Sequence, residues 1–400
     1  MQQPNKVDVS DRMNIPFSEN VTLEHLDRRF SYYSSKGDNK QSLVLDFSKS
    51  EFIEPSCLIY LISLLINRTR NDRETILKLP RLKKVRDFLR SWSFPDTIKN
   101  TTGLSFWAIV TEEDRSYFGE NPSLNEQTYA GKLFNHYGKW ERILQNYLPI
   151  LELCNTGDSF NVGRALTEAN RWKREVISSV LEKHLYGPHG FFASRIVFEA
   201  IMNAVRHPNA SIILTTSCLR IDKGQNKGQM AITWWDDGKS MIDTLREVLN
   251  NGNALTRGAI NIIDKYRLVC EYIDGNKTEP VILTSDLIPD KTISDLHLLL
   301  AATFPGITCD LKGETHVPSP ETAANPILSS PGMGLYLLIN AACNVYHGSV
   351  SFRTKGYFME IKPAKSDSYG YEVNARYYSS AQFLGNMLTV NLPLQKTDEI

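Results

Sequence analysis

The sequence predicts an α/β protein built in two parts, and three observations carry that reading. Residues from about 5 to 115 alternate short apolar runs with segments of helical period. Beyond about 158, two helical segments are followed by paired strand-like runs, a glycine loop opening a helix, and three closing strands. Between the parts lies a polar Gly/Asn-rich stretch, EEDRSYFGENPSLNEQTYAGK, of linker character. The boundaries read from this pattern are 1–118 for the first domain, 119–157 for a linker with a connecting helix, and 158–400 for the second domain.

Taken in order, SLVLDF (Ser42 to Phe47) is a short apolar run closed by a polar turn, as in a buried strand. FIEPSCLIYLISLLINR follows, with Leu58, Leu61 and Leu65 on one helical face. TILKL (Thr75 to Leu79) reads as the next strand, and Pro80 opens the helix LKKVRDFLRSW. In that helix Leu82, Val85 and Leu89 form the core stripe, so its basic residues form the solvated face. LSFWAIV (Leu104 to Val110) reads as a third strand, giving βαβ units with right-handed crossovers.

FNHYGKWERILQNYLPILEL is expected to be the connecting helix, and further helices are expected over Val162 to Leu185 and Phe191 to Arg206. The runs SIILTTSCLRI and QMAITWW, joined by the polar loop DKGQNKG, read as a hairpin. Leu335 to Tyr346 reads as a helix, and SVSFRT, YFMEI and MLTVNLPL as the closing strands. The Pro/Gly/Thr-containing section 242–330, with two helical patterns, reads as an insertion beside the site.

Composition bounds the function. Lys plus Arg equals Asp plus Glu, so no net charge drives the chain toward nucleic acid or an anionic membrane, and neither is an expected partner. The longest apolar stretch, Cys57 to Ile66, is too short to span a bilayer. Six cysteines lie without a C-x-x-C pair, and the N-terminus MQQPNKVDVS is polar. Reduced thiols in a cytoplasmic protein are therefore expected.

Three short motifs carry chemistry. In FEAIMNAVRHP, Glu199 and Asn203 stand one helical turn apart on one face, with His207 a further turn on, before Pro208. A carboxylate beside a carboxamide can hold a hard, oxygen-liganded cation such as magnesium and orient a water or hydroxyl. Alone, the same pattern is the polar face of an amphipathic helix. In WDDGKS, Asp236 ends an apolar strand, where a carboxylate can accept a hydrogen bond from an exocyclic amine, and Gly238 allows close approach to a flat ring. Alone, D-D-G is a turn. In SSPGMGLYLL, Gly332 and Gly334 run into a helix whose first amides, at Met333, Gly334 and Leu335, favour phosphate.

Together these residues resemble the Bergerat-fold (GHKL) ATPases, which include sensor histidine kinases, anti-sigma-factor kinases, gyrase and mismatch-repair ATPases. The family pattern E-x-x-x-N-A-x-x-H, D-x-G-x-G and G-x-G-L is matched in order by EAIMNAVRH, DDGKS and GMGL, and GNMLTVNLP is similar to its closing strand. The resemblance covers roughly 160–400. It implies an α/β sandwich whose ATP lid, enlarged here, is drawn from 242–330. It implies Glu199 as general base, Asn203 as magnesium ligand, Asp236 as reader of adenine, Gly238 against the ring, and Gly332 and Gly334 around phosphates. Ser240 replaces the family's second glycine, and Asn386 stands where a threonine is usual near adenine.

The segment LVLDFSKSEFIEPSCLIYLISLL, within about 20–115, is similar to the STAS domain of anti-sigma-factor antagonists. The resemblance implies a phosphoacceptor at Ser56, and Ser56 also reads as the N-cap of its helix. The function expected is an ATP- and magnesium-binding regulatory switch that phosphorylates a serine, on a regulatory partner protein or at Ser56, or hydrolyses ATP. A nucleotide-gated interaction module without phosphotransfer is the alternative, and a homodimer is a further assembly to expect. Gyrase-type and sensor-histidine-kinase readings are disfavoured by the lack of a transducer segment and of an H-E-x-x-x-P helix.

Overall fold

A computed structural model describes residues 12–34, 42–118, 147–155, 167, 196, 199–200, 203–204, 210–222, 227–251, 255–257, 262–272, 276–308, 332–365, 370–378 and 383–395. The fold is mixed α/β and divides into two compact units. The first lies within Met1–Lys139, together with Pro149–Leu151 and Tyr378–Leu384, and the second takes in the rest.

The first unit has a parallel sheet of β1 (Met13–Pro16), β3 (Leu43–Asp46) and β5 (Thr75–Lys78), in the order β1-β3-β5. A two-residue pair, β2 (Asn20–Val21) with β4 (Phe52–Ile53), lies beside it. Leu43 and Leu45 alternate inward with Ile15 and Leu77, as the period of a strand requires. Helices α1 (Leu23–Ser34) and α2 (Pro55–Arg70) belong to this unit. Every residue of α2 from Pro55 to Ile66 is buried, so it is a core helix apolar all round rather than one with a single stripe. Each of its large apolar side chains contributes about 1.5–3 kcal/mol on burial.

The helices α3 (Lys83–Ser91), α4 (Phe94–Thr102), α5 (Phe106–Ile109) and α6 (Glu112–Phe118) complete this unit. Leu104 to Val110 is not a strand: Phe106–Ile109 is the short helix α5, and only Val110 makes a parallel bridge, to Leu77. A short apolar run cannot by itself separate a buried strand from a buried helical turn. In α3 the core stripe is Val85 and Leu89, while Leu82 is the exposed N-cap.

The second unit is organised by a mixed sheet in the order β11-β10-β15-β14-β13-β16-β8-β7-β6. Its strands are β6 (Tyr147–Asn155), β7 (Ile212–Asp222), β8 (Lys227–Asp236), β10 (Lys265–Tyr272), β11 (Val281–Thr284), β13 (Ser349–Thr354), β14 (Tyr357–Pro363), β15 (Tyr371–Tyr377) and β16 (Asn386–Gln395). A small pair, β9 (Thr256–Arg257) with β12 (Ile307–Thr308), stands apart. Helices α7 (Met241–Asn250), α8 (Asp295–Ala301) and α9 (Gly334–Asn340) accompany the sheet, α9 continuing into a π-helical turn, Ala341–Val345.

The end of the expected connecting helix is strand β6, because Pro149 cannot supply an interior helical amide. Thr167 and Ile196, Glu199, Ala200, Asn203 and Ala204 are helical; the rest of the two helices expected over Val162 to Arg206, with His184, His189 and His207, lies outside the described residues. The section 242–330 feeds the sheet as well as flanking it. Its strand β10 runs parallel to β15, with Tyr266 opposite Tyr371 and their rings stacked at 4.8 Å. No helix among the described residues is long and apolar enough to cross a membrane.

Candidate nucleotide site

Three adjacent strand ends bring one polar row together. Register places Asp236 of β8 opposite Asn386 of β16, and Asn386 opposite Thr354 of β13. All three are buried. Asn386 Nδ2 donates to Asp236 Oδ1 at 3.0 Å and to the Lys239 carbonyl at 3.0 Å, while its Oδ1 accepts from Thr354 Oγ1 and from the Met241 amide, each at 2.9 Å. The Met241 amide can only donate and the Lys239 carbonyl can only accept, so these two partners fix which way the carboxamide points.

The two carboxylates of WDDGKS have different tasks. Asp237 accepts from the Ser211 and Ile212 amides and from Ser211 Oγ, at 2.7–2.8 Å, and so pins the start of β7. Asp236 lines a cleft and accepts the Gly238 amide at 3.0 Å. A β-carbon on Gly238 would stand 2.9 Å from Asp236 Oδ1 and 3.2 Å from Ala210 Cβ, so close packing is what calls for glycine there. Gly238 does not itself line the cleft among the described residues.

The cleft is narrow and partly open to solvent, with a cavity volume of about 30 Å³. Its walls are Ala200, Asn203 and Ala204 of the helix that carries Glu199, then Trp234, Asp236, Met241, Leu299, Leu335 and the segments Phe352–Thr354 and Asn386–Leu388. The neighbours Trp234 and Trp235 point to opposite faces of β8: both are fully buried, and Trp234 is the one at the cleft. Leu299 comes from α8, so the section 242–330 does border the site, and Met241, the first residue of α7, stands just before that section. Arg246 of α7 reaches the Ile293 carbonyl at 2.8 Å and Asp295 at 2.6 Å, fastening α7 to the start of α8.

Glu199 is buried on the same helix as Asn203. A β-carbon built on Gly334 would lie 2.5 Å from Glu199 Oε2 and 3.9 Å from Asn203 Oδ1, so both oxygens converge on the first residue of α9. Asn203 Nδ2 is buried with no hydrogen-bond partner, which leaves that carboxamide a donor to give. Among the described residues no group of three or more His, Cys, Asp or Glu could hold a metal by itself. One or two oxygen side chains at a cleft still fit magnesium, which completes its octahedron with water and phosphate oxygens.

The glycine loop divides its roles too. Gly332 has φ +81° and presses on Gly306 and Ile307, where a β-carbon would come within 2.7–2.8 Å of backbone atoms. Met333 is fully buried in a cluster with Tyr336 and Leu337, and Leu335 lines the cleft.

Ser240 is the N-cap of α7, its Oγ accepting the Asp243 amide at 3.0 Å. Burial pushes the Asp243 carboxyl up, but hydrogen bonds from Lys355 and Ser240 and the charges of Lys355 and Lys239 outweigh it and hold the group below its usual range. In the first unit, Ser56 is not the cap of its helix: Glu54 occupies that position and makes no side-chain cap bond. Ser56 lies inside α2, 3% exposed, and its hydroxyl makes no hydrogen bond.

Sequence reasoning missed Thr354, Met241, Leu299 and Arg353, because each becomes a neighbour only through strand register or the α7–α8 pairing. The chain matches no protein-family model, no curated protein and no solved structure.

Proposed function

We propose that the second unit binds ATP with magnesium in the cleft between the Glu199 helix and the ends of β8, β16 and β13, as a Bergerat-type module. The observation that carries this reading is the opposition, across one cleft, of Asp236 and a helix bearing Glu199 and Asn203. Asp236 would accept the exocyclic amine of adenine, with Trp234 and Leu388 giving apolar walls. Asn203 would hold magnesium, which when bound supplies neutralisation of phosphate charge. Glu199 would take a proton from an attacking hydroxyl or water. The first unit would be the STAS-like partner module of a cytoplasmic regulatory switch.

The chemistry proposed is transfer of the γ-phosphoryl group to a protein serine, which asks the site mainly for positioning and charge neutralisation. Burial of the Ser56 hydroxyl favours a serine on a partner protein over Ser56 itself. The same burial supports a second reading, an ATP-gated interaction surface with no transfer.

Titration of ATP, with and without magnesium, into wild type, Asn203→Ala and Asp236→Asn tests the site. Expected are lost magnesium dependence in the first variant and lost adenine selectivity in the second. Labelled ATP then separates the two readings. Label on serine that disappears in Glu199→Ala supports transfer, and partner capture with a non-hydrolysable analogue but no labelled serine supports gating. Wild type that binds no ATP overturns both.

A further inference from the structure

We infer that the open edge of β11 is a homodimer seam: two copies of this chain pair their β11 strands antiparallel about a two-fold axis through Ile282. The seam lies on a strand of the section 242–330, outside the motifs that carry the resemblance, and it does not rest on the nucleotide reading.

β11 ends the strand order of the nine-stranded sheet, so one side of it faces no strand among the described residues. The Ser285 amide donates to the Asp264 carbonyl at 2.9 Å, one step beyond the pair Lys265 and Thr284. Backbone groups alternate sides along a strand, so those of Val281 and Leu283 also turn toward β10, and those of Ile282 and the Thr284 amide turn to the open side. The Pro280 carbonyl shares a trans peptide plane with the Val281 amide and points the opposite way, also to the open side.

The open side therefore offers the Ile282 amide and carbonyl, the Thr284 amide and the Pro280 carbonyl. Pro280 has no N–H to offer, and the Thr284 carbonyl is already filled by the Leu287 amide at 3.1 Å. Paired about Ile282, each Ile282 exchanges both bonds with Ile282 of the second copy, and each Thr284 amide meets the second copy's Pro280 carbonyl. The missing donor and the filled acceptor fall opposite each other, so no backbone group is wasted. Moving the axis to Val281 sets the Ile282 carbonyl against the proline nitrogen. Moving it to Leu283 sets the Ile282 amide against the filled carbonyl. An unrelated strand would bring an ordinary amide to that filled carbonyl as well. The edge is complementary to itself.

The side chains agree. Of eight large apolar side chains exposed among the described residues, four (Ile263, Val281, Ile282 and Ile288) belong to β11 and the segments beside its pairing with β10. Proteins normally blunt such an edge with charge, and β11 (Val-Ile-Leu-Thr) carries none. The pairing sets Ile282, 56% exposed, beside its own copy on one face of the sheet. On the other face it sets Val281, 41% exposed, beside Leu283 of the second copy.

Sedimentation of the full chain across a concentration series, beside thermal unfolding, tests the seam in wild type and Ile282→Lys. Wild type is expected to dimerise reversibly. Ile282→Lys sets two ammonium groups together at the axis and is expected to weaken the dimer by at least about ten-fold. Cysteine variants read the register. Residues in a hydrogen-bonded antiparallel pair lie about 5.5 Å apart at Cα, within disulfide range. The two Thr284 positions would stand four residues out of register, about 14 Å apart and beyond that range. Mild oxidation is therefore expected to cross-link Ile282→Cys and not Thr284→Cys, above the background set by the wild-type cysteines. Wild type that stays monomeric up to its solubility limit overturns the inference, and so does a dimer that Ile282→Lys leaves unchanged. Should Ile282→Lys fail to fold, an Ile282→Cys variant that cross-links no better than Thr284→Cys overturns it. ATP binding is untouched by any of these outcomes.

Discussion

Gly334 packs so closely on Glu199 that a single added β-carbon would come within 2.5 Å of Oε2. The second glycine of the loop is therefore fixed by the carboxylate of a distant helix, and not by the loop's own turn, since no left-handed φ is required of it. Gly332 is the opposite case, a left-handed residue whose neighbours are backbone atoms of Gly306 and Ile307. The two residues of one short motif are glycine for different reasons.

Gly334→Ala should therefore act on the site more than on the fold. Overpacking costs about 1–3 kcal/mol, and the displaced carboxylate should weaken magnesium-dependent ATP binding by about ten-fold or more. Urea unfolding beside calorimetric titration checks it. Equal ATP affinity in the variant would show that Glu199 has room to move without consequence.

Removing the cap hydroxyl with Ser240→Ala should destabilise α7 by about 1 kcal/mol. Because Met241 also reaches Asn386, amide exchange over 241–250 should rise more than in α8. Equal exchange in the two helices would contradict a local cap.

Ser56→Ala should leave stability unchanged or raise it slightly, since the buried hydroxyl makes no hydrogen bond to lose. Ser56→Asp should cost at least about 3 kcal/mol, because it buries an unpaired charge in a core helix. Denaturant midpoints for the two variants measure the contrast. A well-tolerated Ser56→Asp would mean that α2 accepts a negative charge at its first turn, as phosphorylation would demand.

Asp243 and Lys355 pair at 2.5 Å and give a pH dependence of defined sign. The carboxyl of Asp243 is lowered in the folded state, so its contribution is present above the unfolded value near 3.8 and is lost as pH falls through the lower folded value. Lys355 is raised, chiefly by the hydrogen bond it donates to Asp243, so its contribution is present below 10.5 and is lost as pH rises through the higher folded value. Asp243→Asn should therefore melt below wild type at pH 7, with the gap closing as pH falls below 3.8 through the lower folded value. The same gap should narrow in 1 M salt, since both side chains are partly exposed. Thermal melts across pH 2–7 decide it, and a constant gap would exclude the pair as the cause.

Much of the fold was legible where period and burial agree. The hairpin ending at Asp236 and the closing strands show clean apolar runs bounded by turns, and they form as the pattern implies. Where the pattern is short or mixed, neighbours decided. Phe106–Ile109 coiled into a helix although its residues favour a strand equally. KYRLVCEY carries a period-2 alternation of Tyr266, Leu268 and Cys270 that was readable, yet only its parallel pairing with β15 makes it part of the sheet. Ser56 looked like a cap because serine favours that place, but Pro55 opens the helix and moves the cap two residues earlier, to Glu54, which draws the serine inside.

The sequence by itself determined the chemistry available: a carboxylate and a carboxamide one helical turn apart, a carboxylate at a strand end, and glycines before a helix. These are local features, set by periods of 3.6 and 2 residues that any stretch of chain carries within itself. Only the tertiary structure decided which of two adjacent aspartates meets the cleft, why Gly334 has no side chain, and that Asn386 spends its whole amide on Asp236, Lys239, Met241 and Thr354. Those facts depend on strand register and on contacts between residues far apart in the chain, which the folded packing of the whole unit fixes and local sequence does not.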